Sequence, residues 1–318
     1  MSEGQSSRHL VDPALLPLLE AFPTVTITNE NLAELRAREL PFPLTDDGDV
    51  DLEERQIDGP PGAPPVPIRI YCPRQASGPL GCIFHIHGGG YVGGWAGEVE
   101  FLHRPLAAQL QCLIVSVDYR LAPETSFPGN IEDCYAALAW TFANAEAIGA
   151  DRDRIGVMGE SAGGGLAAAL ALLARDRGEY RLAFQHLIYP MLDDRTCIAD
   201  RTPFAGEFIW TRHSNRFGWT ALLGHEPGRD GVSPYAAAAR AEDLSGLPPT
   251  FISTAALDLF VNEDITYARR LVSAGVPTEL HVWPGAFHGF DLMPGVPVSD
   301  AARRASNEAL AQFLKQDR

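Results

Sequence analysis

Gly159-Glu160-Ser161-Ala162-Gly163 sets a serine between two glycines, directly after the apolar run Ile155–Met158 and directly before a helical one. This G-x-S-x-G spacing is that of a nucleophile elbow, a tight strand-to-helix turn that holds the serine hydroxyl clear of the backbone. Residues two positions either side must be small for strand and helix to approach, and Gly159 and Gly163 meet that need. The N–H of Ala162 then lies at a helix N-terminus, where peptide dipoles favour developing negative charge. A second glycine run, His87-Gly88-Gly89-Gly90, follows apolar Cys82–Ile86. Consecutive glycines lay backbone N–H groups bare against a reacting carbonyl, as an oxyanion hole requires. A serine nucleophile also needs a base and an orienting acid, which follow this type of elbow in the order acid, then base. Asp258 comes just after the strand candidate Thr250–Ala255, and His288 stands in the glycine-flanked loop after the next one, Glu279–Trp283. Glu263 and Asp264 read instead as the charged start of a helix, and His281 as a packed or edge residue of its strand. Together these groups could transfer an acyl group through a covalent serine intermediate.

Competing chemistries fit less well. Gly163-Gly164-Gly165 breaks the G-x-G-x-x-G spacing, and no G-K-[ST] follows the run at 87–90, so neither nucleotide loop is present. His85-Ile86-His87 has no nearby Asp–His pair to complete a metal site, and no metal or cofactor is expected. Asp118-Tyr119-Arg120-Leu121-Ala122-Pro123-Glu124 reads as a proline-stiffened turn whose charges pair among themselves.

The elements that must position these groups alternate. Strand candidates are Ile68–Tyr71, Cys82–His87, Leu113–Tyr119, Ile155–Gly159, Phe184–Tyr189, Thr250–Ala255 and Glu279–Trp283, several of them almost wholly apolar. Helical patterns fall between and after them at Glu132–Ala147, Leu166–Arg177, Glu263–Ala274 and Asp300–Leu314. That rhythm predicts an α/β layer fold with a mostly parallel sheet covered on both faces. Two stretches break it. One is the N-terminal region, with helical patches at Pro13–Ala21 and Asn31–Leu40 and a Pro/Gly loop at Gly59–Pro67. The other runs from Met191 to about Pro249, too long for a simple connection. The second carries Phe204, Phe208, Trp210, Phe217 and Trp219, and begins where a strand ends. It is therefore expected to form a lid whose aromatics close the pocket, the alternative being a structural excursion whose aromatics pack on the core.

Composition narrows the partners. The chain has 318 residues, 46% hydrophobic and 21% charged, enough apolar surface for a large core. No run approaches the roughly 18–20 apolar residues of a membrane span, and Met1–Leu10 lacks the pattern of a signal peptide. The formal charge of −16, from 41 acidic and 25 basic residues, repels phosphate backbones and anionic membranes. Nucleic acid and membrane are thus not expected partners; a small neutral or cationic molecule is, and a homodimer is compatible. Cys72, Cys82, Cys112, Cys134 and Cys197 are odd in number and form no C-x-x-C pair, which fits a cytoplasmic protein.

The motifs together resemble the hormone-sensitive-lipase-like branch of the α/β-hydrolases, the bacterial family IV carboxylesterases. The resemblance runs from about Leu80 to the C-terminus. It rests on His87-Gly88-Gly89-Gly90, Tyr119-Arg120-Leu121-Ala122-Pro123-Glu124, Gly159-Glu160-Ser161-Ala162-Gly163-Gly164, Asp258 and His288-Gly289-Phe290. It implies an eight-stranded sheet in a catalytic domain of residues 49–190 and 245–318, with a helical cap from residues 1–48 and 191–244. It further implies Ser161 as nucleophile, His288 as base, Asp258 as orienting acid, and Gly89, Gly90 and Ala162 as oxyanion donors, with His87, Gly88 and Glu160 supporting them. The expected substrates are short-chain acyl esters; amides, formamides and lactones use the same triad, and receptors of this fold lack the histidine. Two positions depart from the family's usual residues. The acid motif reads Asp258-Leu259-Phe260-Val261-Asn262-Glu263 rather than D-P-L-x-D-E, and Glu160 stands where many relatives have Asp or Thr.

Overall fold

A computed structural model describes residues 6–38, 49–200 and 202–315. Eight strands form a single sheet: β1 (Val50–Ile57), β2 (Val66–Pro73), β3 (Leu80–Ile86), β4 (Leu113–Val117), β5 (Ala150–Glu160), β6 (Gln185–Ile188), β7 (Thr250–Ala255) and β8 (Thr278–Trp283). Their order is β1-β2-β4-β3-β5-β6-β7-β8. Strand β2 runs antiparallel to both neighbours, and all pairs from β4 to β8 are parallel. Among the described residues the α-helices are α1 (Leu16–Ala21), α2 (Leu32–Arg36), α3 (Glu100–Leu110), α4 (Gly129–Ala143), α5 (Ala162–Arg177), α6 (Arg212–Leu223), α7 (Val261–Ser273) and α8 (Pro297–Lys315).

Alternation along the central strands feeds two cores. Cys82, Phe84, Ile86, Leu113, Val115 and Val117 face a large cluster that includes residues of α4, α5 and α7, such as Leu138, Leu170 and Leu271. Ile83 and Ile114 point the other way, against Leu106 of α3 and Leu310 and Leu314 of α8. Burial on both faces explains why β3 and β4 read as nearly continuous apolar runs; β6 and β7 are equally buried but half polar. The pattern is lost at the edges. Strand β1, Val-Asp-Leu-Glu-Glu-Arg-Gln-Ile, is exposed over most of its length and charged, a common protection for a sheet margin, and its sequence gave no apolar signal. Helix α3 was also unforeseen, because Pro105 interrupts its period.

The two stretches outside the α/β rhythm lie against each other. Leu15 and Leu18 share a buried cluster with Phe208, Phe287 and Phe290. The amide of Ile209 donates to Thr24 Oγ1 at 3.0 Å, and Ser7 donates to Glu207 through both its amide and its hydroxyl at 2.6 Å. Of the N-terminal patches, Glu39 and Leu40 fall outside the described residues, as do 1–5 and 41–48 of the expected cap segment.

The insertion differs from the aromatic lid expected of it. Phe204 is 51% exposed. Trp219 is fully buried against Tyr91, ring centroids 5.2 Å apart, while Phe217 packs beside Leu32 and Val92. Phe208 packs on Phe287 at 5.8 Å. Only Trp210, among these five, reaches the central cavity. Hydrophobic rings on one segment are interchangeable in sequence, and each goes to the nearest apolar surface it can bury.

Candidate active site

Helix α5 begins one residue after β5 ends, and Ser161 makes the turn with φ 57° and ψ −121°, a left-handed backbone that a serine rarely adopts. The surroundings over-determine it. The Ser161 amide donates to the Ile188 carbonyl at 2.9 Å, and its carbonyl accepts from Met191 and Gly165 at 2.9 and 3.0 Å. A Cβ on Gly159 would stand 2.3 Å from the Gly163 carbonyl oxygen, and one on Gly163 2.1 Å from that of Ile86. No side chain fits at either position, which is the requirement read from the pentapeptide.

Ser161, His288 and Asp258 meet at the C-terminal edge of the sheet. His288 Nε2 lies 2.9 Å from Ser161 Oγ, and His288 Nδ1 lies 2.7 Å from Asp258 Oδ2. The other Asp258 oxygen accepts from the Phe260 amide at 3.0 Å. A carboxylate only accepts, so Nδ1 carries the ring proton and Nε2 presents its lone pair to the serine hydroxyl. Tyr189 flanks the imidazole with its ring centroid 4.6 Å away and donates from its hydroxyl to Asp291 at 2.8 Å. Phe260 meets it edge-on at 5.5 Å.

Gly88, Gly89 and Gly90 line the same cavity as Ser161 and His288. Among the described residues, no group accepts from the N–H of Gly89, Gly90 or Ala162. Gly90 and Ala162 are buried while Gly89 is exposed; buried backbone donors are nearly always paired, so unpaired ones beside Ser161 offer a place for an anion. The insertion backs this loop. A Cβ on Gly90, which has φ +62°, would meet the Trp210 ring at 2.2 Å, and one on Gly218 of α6 would meet the Gly90 carbonyl oxygen at 2.6 Å.

His87 stands behind the loop. Its Nδ1 donates to the Gly88 carbonyl at 2.8 Å, its ring stacks on Tyr119 at 4.2 Å, and burial lowers its pKa to about 3. Tyr119 in turn donates to the His87 carbonyl at 2.9 Å. The segment 118–124 therefore props the glycine loop. Its charges do not pair among themselves as expected: Arg120 binds Asp133 of α4 at 2.7 Å, and Glu124 binds Arg36 of α2 at 2.7 Å.

Glu263 and Asp264 stand in the first turn of α7, as their sequence reads, and both are buried. Glu263 accepts from the amides of Leu192 and Asp193 at 2.6 and 3.1 Å and from the Thr196 hydroxyl, so it clasps the chain where the insertion leaves the sheet. Asp264 accepts from Thr254 Oγ1 at 2.5 Å, and burial holds both carboxyls well above their usual pKa range. Apolar surroundings are supplied by β7 and the insertion, which no local pattern around 261–264 reports.

The cavity measures about 700 Å³. Much of its wall is α3, through Phe101, Leu102, Pro105 and Leu106, with Met158, Ile188 and Trp210 opposite and Asp291 and Leu292 after His288. Sequence reasoning missed α3 altogether; the apolar spacing of Phe101, Leu102 and Leu106 was the available signal. Among the described residues no group of three His, Cys, Asp or Glu side chains could hold a metal ion. No described helix is long and apolar enough to cross a membrane.

Residues 83–292 match a family model described as having the alpha/beta hydrolase fold. The chain is 38% identical over 323 aligned positions to carboxylesterase NlhH of Mycobacterium tuberculosis, covering 99% of each. It is 34% identical to an arylesterase of Saccharolobus solfataricus, with 82% of this chain and 81% of the relative aligned. Among solved structures, a bacterial heroin esterase superposes with a TM-score of 0.89 at 38% identity, covering 98% of this chain and 100% of the other. The chain belongs to the α/β-hydrolase family. Within it the chain falls in the hormone-sensitive-lipase-like branch, and the enzyme is a serine carboxylesterase.

Proposed function

We propose that Ser161 is the nucleophile of this esterase, His288 its general base and Asp258 the acid that orients the base. The observation that carries the reading is the unbroken run of hydrogen bonds from Ser161 Oγ through both nitrogens of His288 to Asp258. His288 Nε2 takes the hydroxyl proton as the oxygen attacks the ester carbonyl, and Asp258 stabilises the imidazolium that forms. The oxyanion is received by the N–H groups of Gly89, Gly90 and Ala162, which no described group occupies. His288 then protonates the departing alcohol, and water repeats the cycle on the acyl-serine.

The N-terminal segment (1–48) and the insertion (191–244) act as the cap over the catalytic domain formed by 49–190 and 245–318. Contacts of Ile209 with Thr24 and of Trp210 with Gly90 support that role. The substrates are small carboxylic esters with short acyl chains, a reading supported by a cavity of about 700 Å³ and by relatives named as carboxylesterase and arylesterase. All five cysteines are unpaired, which supports a reducing compartment, the cytoplasm.

A fluorophosphonate probe tests the nucleophile. The native chain is expected to take one label on Ser161, and Ser161→Ala none, with ester turnover down by about 10⁴-fold or more. Labelling of the Ser161→Ala chain, or turnover near the native rate, would reject the assignment.

A further inference from the structure

Directly under the nucleophile elbow lies a second histidine–carboxyl pair that the triad does not use. Glu160 precedes Ser161 and lines the same cavity. Its Oε2 is 2.9 Å from Nε2 of His85, a fully buried residue of β3. His85 Nδ1 is 2.8 Å from Ser116 Oγ on β4, and Ser116 Oγ donates to the carbonyl of Ala96 at 3.1 Å. Ala96 lies in the loop that continues from the glycines at 88–90.

The protons in this chain can be placed by counting. Ser116 has one hydroxyl hydrogen, and it goes to Ala96. Toward His85 the serine oxygen can therefore only accept, so His85 Nδ1 donates. A neutral imidazole has a single N–H, which leaves a lone pair on Nε2. The group facing Nε2 must then be a donor, and that group is Glu160. The remaining neighbours do not favour an imidazolium at His85. His103 of α3 sits edge-on at 4.2 Å with neither ring nitrogen hydrogen-bonded among the described residues. Around the Glu160 carboxyl stand His85 from β3, His103 from α3, Tyr189 after β6 and Asp291 after β8; His103 pulls the carboxyl pKa down, but burial raises it more and holds His103 itself neutral. Ser161 and His288 share the cavity.

We propose that Glu160 works as a neutral carboxylic acid, donating its proton to His85 Nε2, and that the chain Glu160–His85–Ser116–Ala96 is a positioning device joining the nucleophile elbow to the oxyanion loop. Burial acts in the same direction, raising the Glu160 carboxyl to about 7 and lowering His85 to about 3. Loss of the proton turns a hydrogen bond into two lone pairs facing each other at the Glu160–His85 link. It also puts a negative charge beside the site where the oxyanion forms. Either change opposes the reaction, so the esterase is expected to carry a descending limb as pH rises through about 7.

The inference rests on the assignment of Ser161 for its activity readout alone. The first test is made on the native protein, by ¹⁵N–¹H correlation spectroscopy of the histidine rings near pH 6. His85 is expected to hold one proton, on Nδ1, with Nε2 of the unprotonated type; a protonated Nε2 overturns the proposal. The second test compares Glu160→Ala with Glu160→Gln, whose amide can donate to Nε2 as the acid does. Near pH 6, Glu160→Ala is expected to lose at least about tenfold in kcat/KM and Glu160→Gln to recover most of that loss. The ratio of native to Glu160→Gln activity is expected to fall as pH passes about 7. Equal damage in both variants, or a ratio independent of pH, removes the positioning role. Fluorophosphonate labelling keeps the two readings separate: a misassigned Ser161 fails there and leaves the ring-nitrogen result untouched.

Discussion

The loops at the C-terminal ends of the strands and the insertion after β6 carry the two halves of this active site, and they obey different rules. At 86–90, 159–163, 255–258 and 284–288 the function depends on backbone geometry. Glycines stand where a Cβ would collide, a serine is held at φ 57°, and N–H groups are left without acceptors among the described residues. In the insertion the function depends on which of several similar rings reaches the cavity, and that is settled by competition for apolar surface. The first kind of region tolerates almost no change in residue type. The second tolerates changes wherever the ring has been spent on packing away from the site.

Substitutions can break this contrast, and the largest effect is expected among the acids. Asp258→Asn leaves the shape but lets His288 carry its proton on the wrong nitrogen, with an expected loss of about 10⁴-fold in kcat. Asp264→Asn, six residues on, should retain turnover while unfolding more easily by about 1–3 kcal/mol, because it buries an amide donor without a partner. Chemical denaturation alongside steady-state kinetics separates them, and the reverse pattern would move the orienting acid.

A smaller effect is expected at the seam between the regions. Gly90→Ala pushes a methyl into Trp210 and strains a left-handed residue, displacing one oxyanion donor. The expected loss is on the order of 10²–10³-fold in kcat with little change in KM. An unchanged kcat would show that Trp210 yields and that the cap does not constrain the loop.

The smallest effects sharpen the view of the insertion itself. Trp210→Ala enlarges the cavity, so the preferred acyl chain should lengthen in a series of p-nitrophenyl esters, each added methylene that fits contributing about 0.8 kcal/mol. Phe204→Ala, at an exposed ring, should stay within about twofold of the native chain at every acyl length. If the two variants behaved alike, the expectation of a common aromatic wall would be restored.

How legible each part was follows from the same contrast. The proposed triad of Ser161, Asp258 and His288 was legible because each residue sits just after a strand, and central strands covered on both faces tend to read as apolar runs. Strand β1 escaped because an edge strand has no such face to hide, and α3 because Pro105 broke its period. Glu263 and Asp264 do open α7, but their burial was hidden for a related reason. Two acids at the start of a helix look the same in sequence whether water or an apolar layer surrounds them.

By itself the amino-acid sequence determined the layer fold, the chain order of the proposed nucleophile, acid and base, and the glycines that make the tight turn after β5 and the bare amides possible. These are properties of neighbouring residues, set by sterics within a few positions of the chain. Tertiary structure alone decided that Trp210 and not Phe204 lines the cavity, that α3 walls it, and that His85, Ser116 and Glu160 align across three adjacent strands. Those outcomes depend on distance between residues far apart in the chain, and on how much water the folded protein leaves around each polar group.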